Sequence, residues 1–123
     1  MATPNIVNVT TINGNTSTTS LTTTSATSLV SNAAASGKIF KIGSIVVANT
    51  SASAANITIN VYSAAALGGT AFPIAFTISV PAYASLIVTD KTTAFYLLED
   101  KSIGATAGTA TALVVTASWE EIT

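Results

Sequence analysis

The stretch Lys38 to Tyr62 constrains the fold of this chain more than any other. It reads KIFKIGSIVVANTSASAANITINVY. Its first half is apolar at nearly every position, from Ile39 and Phe40 through Ile42 to Ile45, Val46 and Val47. A run this rich in β-branched residues, interrupted by Gly43 and Ser44, predicts a long strand covered on both faces. Asn49 to Ala55 is small and polar, a loop composition. Beyond it the residues alternate strictly. Ile57, Ile59 and Val61 share one face; Asn56, Thr58, Asn60 and Tyr62 share the other. The stretch is therefore expected to be a hairpin with one buried and one half-wet arm, which leaves Tyr62 as the best exposed aromatic.

The period of two recurs along the chain. Asn5 to Ile12 reads as a short edge strand and Asn13-Gly14-Asn15 as a turn, since Asn and Gly tolerate positive φ. Thr16 to Ser28 is nearly all hydroxyl residues. It reads as a wet outer strand ending at Leu29-Val30, or as part of an N-terminal arm (residues 1–30) that orders against a neighbouring subunit. Ala71 to Val80 aligns Phe72, Ile74, Phe76, Ile78 and Val80 on one face, with Pro73 marking an edge or bulge. Ala82 to Thr89 places Ala84, Leu86 and Val88 inward, Asp90 to Thr93 is a turn, and Ala94 to Leu98 a short strand. Glu99-Asp100-Lys101 is read as a solvated turn and Ser102 to Ala107 as a weak strand. Thr111 to Ile122 puts Leu113, Val115, Ala117 and Trp119 on one side. About eight strands spaced roughly 8–12 residues apart, with no helical period, predict an all-β chain. The expected architecture is a single-domain antiparallel β-sandwich over residues 1–123, jelly-roll-like, with an immunoglobulin-like sandwich as the alternative.

Composition narrows the chemistry. Histidine and cysteine are absent, which removes the commonest general base, the thiol nucleophile and the soft metal ligands. The carboxylates Glu99-Asp100 and Glu120-Glu121 are adjacent pairs, and neighbours on a strand point to opposite faces. A calcium site at Glu99-Asp100 lacks the dense D-x-D ligand spacing. No enzyme, cofactor or metal is expected. Lys38, Lys41, Lys91 and Lys101 are scattered and offset by five acids, so no nucleic-acid partner is expected. No apolar run approaches the roughly 20 residues of a spanning helix, and Met1-Ala-Thr-Pro-Asn shows no basic region leading into an apolar core. Neither a membrane nor a secretory signal is expected. Charged residues make up 7% of the chain against a usual value of about 25%, and the net charge is −1. A chain with so little charge of its own favours association. Sugar binding would need exposed aromatic platforms. Tyr62, Tyr83, Tyr96 and Trp119 are the candidates, with Trp119 assigned to the core beside Leu113 and Val115.

Four segments carry a likeness: MATPNIVNVTTING, SGKIFKIGSIVVAN, ISVPAYASLIVTDKTTAFYLLEDKSI and ASWEEIT. Together they resemble small virion structural proteins of tailed bacteriophages, those of marine phages and cyanophages included. The likeness spans most of the chain from Met1 to Thr123, though Thr16 to Ser28 is poorer in apolar residues than the family pattern. It implies a virion component assembled in the host cytoplasm: a capsid decoration or cement protein, forming a homo-oligomer (a trimer among the options) on the phage major capsid protein or other virion proteins. The alternative it implies is a tail, neck or fibre-associated β-sandwich with host-glycan affinity through Tyr62 or Tyr96. Asn56, Thr58 and Asn60, on the Tyr62 face, complete the expected partner contact.

Overall fold

The computed structural model describes residues 6–123. Its strands are β1 Ile12–Leu21, β2 Thr27–Asn32, β3 Ile39–Asn49, β4 Ala55–Ala64, β5 Gly68–Val80, β6 Ser85–Thr89, β7 Phe95–Leu97, β8 Lys101–Ala107 and β9 Leu113–Ile122. A 3₁₀ turn spans Lys91–Thr93. One sheet runs β1-β9-β3-β6, with β7 also on β3; the other runs β2-β8-β4-β5. Every ladder is antiparallel.

The pairing has a simple logic. β4 and β5 form a hairpin. Moving outward from it, β3 pairs β6 and β7, β2 pairs β8, and β1 pairs β9. The chain is one long two-stranded ribbon, bent at β4–β5 and rolled until β3 meets β9 and β4 meets β8. That is the jelly roll, its sixth strand broken into β6 and β7. The break is the expected Asp90–Thr93 turn: the Asp90 carboxylate accepts from the Thr92 amide at 2.9 Å, and the Thr93 hydroxyl accepts from the Asp90 amide at 3.1 Å.

β3 and β4 do not form the expected hairpin. They lie in opposite sheets, and the polar loop between them carries the chain across the sandwich. Loop composition looks the same for a hairpin and a crossing; the buried Asn49 decides. Its amide group donates to the carbonyls of Ser53 (2.9 Å) and Val80 (3.0 Å), and its Oδ1 accepts from the Ser51 amide and hydroxyl. Asn32 does the same where β2 crosses to β3, donating to the Lys38 and Leu97 carbonyls and accepting from Ser36. Buried amides persist where each polar atom finds a partner.

The N-terminal third also departs from expectation. Asn13-Gly14-Asn15 is not a turn but strand, opposite Glu121, Glu120 and Trp119. Of the short strand expected over Asn5–Ile12, residues 6–11 are not strand, Ile12 opens β1, and Asn5 lies outside the described residues. The hydroxyl-rich segment forms two strands, with the crossing between sheets at residues 22–26. β3 is covered on one face rather than both: Ile42, Ile45 and Val47 are buried, whereas Lys41 is exposed and Val46 half-buried.

Ile42, Ile45 and Val47 meet Ile57 and Ile59 of β4, Ile103 of β8, and Leu113 and Val115 of β9 in one core, closed by Leu21, Val80 and Leu97. Each such side chain contributes about 1.5–3 kcal/mol by leaving water. Trp119 is half-buried on this core, stacked on Phe40 at 6.2 Å.

Candidate interaction surface

Both sheets end on the same side of the sandwich, one in β5 and the other in β6 and β7. β5 is expected to present one apolar face, but three register shifts against β4 divide it. Val80 and Ile78 stand opposite Ala55 and Ile57, and Phe72 stands opposite Val61. Ile74 and Phe76 fall at the shifts. Next to Phe76, Thr77 takes φ +45°, and its amide donates to the Thr58 hydroxyl at 3.0 Å. A bulge of this kind re-aims neighbouring side chains. The outcome is an apolar row in solvent, with Phe72 58% and Phe76 67% exposed, and Ile74 and Ile78 between and beside them.

A groove of about 250 Å³ opens beside this row. Val61, Ile74 and Lys101 line it from one sheet, and Phe95, Tyr96, Leu97 and the adjoining Leu98 from the other. The lining is apolar almost throughout, which suits an apolar side chain and offers little to orient a polar ligand. Lys101 itself is engaged, donating to the Ser63 carbonyl at 3.1 Å.

The structure separates the residues expected to make a partner contact. Tyr62 is 8% exposed, not an exposed platform. The β4–β5 turn folds back over it: the amides of Ala65, Ala66 and Leu67 are held by Asp100, Ser31 and Ser102. Beneath, Gly104 leaves room, for a Cβ there would stand 2.6 Å from Leu67 Cδ2 and 3.0 Å from Tyr62 Cε1. Asn56, Thr58 and Asn60 share the outer face of β4 with it, Asn56 exposed, the other two half-buried. Tyr96 is 43% exposed but stands on β7, in the other sheet, at the groove. The sequence reading put the β5 row on one face at an edge or bulge but did not assign it to a partner contact. Its signal was present in Pro73 and in the absence of any charged residue from Gly68 to Thr89.

The charged groups hold the fold elsewhere. Glu121 accepts from Lys38 Nζ (3.3 Å), Trp119 Nε1 (3.3 Å) and the Asn15 amide group. Partial burial alone would raise its pKa, but these hydrogen bonds and the Lys38 charge outweigh it and hold the carboxyl below the ordinary value. Glu99 is less solvated than expected, one oxygen on the Gly37 amide and the other buried without a protein partner. Among the described residues, no three His, Cys, Asp or Glu side chains gather as a metal site, and no helix is long and apolar enough to cross a membrane.

No family model and no curated protein matches the chain. Among solved structures, it is similar to a protein of Bacillus endospore appendages, described as a novel family of disulfide-linked pili. The TM-score is 0.55 at 17% identity, over 92% of this chain and 88% of that one. A chain from the structure of infectious bursal disease virus, Gx strain, aligns at TM-score 0.41 and 12% identity, over 89% of this chain and 33% of that one, too distantly to bear on function. At such identities the appendage likeness is one of fold: both chains share the rolled sandwich.

Proposed function

We propose that this chain is a structural subunit of a phage particle, a capsid decoration or cement protein that stiffens the head through contacts with the major capsid protein and with its own copies. The observation that carries the reading is the uncovered apolar row of β5 in a chain with a net charge of −1. Contiguous exposed apolar surface of this kind marks a protein contact, and so little charge leaves nothing to hold copies apart. Two further points support it. The quoted segments resemble small phage virion proteins, and a protein of the same fold serves in the Bacillus appendages. Disulfide linkage does not carry over, because this chain has no cysteine. Repetition over a lattice then multiplies modest contacts. Cryo-EM of capsids mixed with the purified protein tests the reading. A regular lattice on the outer head surface is expected. Binding confined to a neck or tail ring would move the protein to the alternative station, and no binding to particles would overturn the reading.

A further inference from the structure

We propose that two copies of this chain pack through their β5 edges, each placing Phe76 in the groove that the other presents between β5 and β7. This rests on the assembly reading above and names its surface and occupant. The knob and the hole are on one edge of one chain. Phe76 is 67% exposed on the same strand as Ile74, two residues away, and Ile74 lines the groove together with Val61, Phe95, Tyr96, Leu97, Leu98 and Lys101. A self-complementary patch of this kind is what a two-fold, isologous contact requires. The hole has the right size: an apolar cavity of about 150 Å³ accepts benzene, and this groove measures about 250 Å³.

Charge favours a second copy over another class of partner. No charged residue occurs from Gly68 to Thr89, and the one charged residue lining the groove, Lys101, is held by the Ser63 carbonyl, so two β5 strands meet without repulsion and with little to attract a strongly acidic or basic partner. The exposed apolar area suits a small, reversible contact. At about 150–250 Å² per aromatic side chain, the exposed parts of Phe72, Phe76 and Tyr96 amount to roughly 300 Å². Ile74, Ile78 and Leu98 extend this toward the about 800 Å² per partner of a standard interface. Side chains carry the contact rather than a continued ladder. Pro73 has no amide hydrogen to donate, and the register shifts break β5 into short pieces.

Sedimentation velocity over a range of concentrations tests this, with Phe76→Glu and Phe76→Ser at the knob and Thr18→Glu on the opposite edge strand, β1. Both sites are exposed, and circular dichroism checks that each variant keeps its sheets. The expected result is reversible association of the parent chain, unweakened by added salt, with Kd raised at least about tenfold by either Phe76 change and unchanged by Thr18→Glu. Association that ignores Phe76 overturns the β5 contact and leaves the assembly reading standing. A monomeric parent chain that still coats capsids does the same. A monomeric parent chain that also ignores capsids overturns both.

Discussion

β4 and β5 are hairpin partners in one sheet, and both alternate apolar with polar or small residues. Yet Ile57 and Ile59 of β4 are fully buried, while Phe72, Ile74, Phe76 and Ile78 of β5 stand largely in solvent. The difference lies in their neighbours. β4 is flanked by β8 and β5 and faces the opposite sheet, so its inward residues are covered from all sides. β5 has a partner on one side, and three register shifts interrupt its ladder with β4. Alternation states which side chains share a face. Whether that face is covered depends on strand order.

The widest gap should appear on truncation. Ile59→Ala leaves a cavity in the core and should cost about 2–5 kcal/mol. Phe76→Ala removes more atoms but little buried surface, and should stay within about 0.5 kcal/mol in dilute protein. Urea titration of the two variants compares them directly; equal losses would break the contrast between the strands.

Asn49 sharpens it next, because it ties the start of β4 to the end of β5. Asn49→Ala leaves the Ser53 and Val80 carbonyls without that donor and should cost about 1–3 kcal/mol, read as a fall in the denaturant midpoint. Asn32→Ala, at the other crossing, should cost a similar amount; a negligible loss at both would remove the asparagines from the account of the crossings.

These positions show how far the fold could be read beforehand. The two-layer antiparallel body and most strands after Lys38 followed from Ile57, Ile59, Leu113 and Val115 recurring at every second residue. The crossings did not, because Asn49 and Asn32 look like ordinary loop polars until each side-chain NH2 finds two backbone carbonyls and each Oδ1 a serine donor. Asn13-Gly14-Asn15 has turn chemistry, but ten consecutive pairings with β9 override it. Tyr62 lies on the polar face, as alternation required. Its burial comes from the turn at residues 65–67 and from Gly104 on a different strand, which no local pattern shows. The groove joins residues of two sheets and was not legible at all.

The smallest effect concerns the opposite edge of the sandwich, where polar bonds replace apolar contact. Glu121 holds β1 and Lys38 through a carboxyl whose pKa is lowered on folding. Its stabilisation is therefore full above the ordinary glutamate value of about 4.3 and lost as pH falls through the lower folded value. Glu121→Gln should cost under about 1 kcal/mol near pH 7. The gap from the parent chain should close in acid, as thermal melts at several pH values would show.

The central claim is that the β5 edge is built to be covered by a second copy of the chain. Hydrogen exchange on dilute and concentrated samples tests it most directly. Peptides from β5 and β7 should gain protection on concentration while those from β1 and β2 do not; equal protection of β5 at both concentrations would contradict the account.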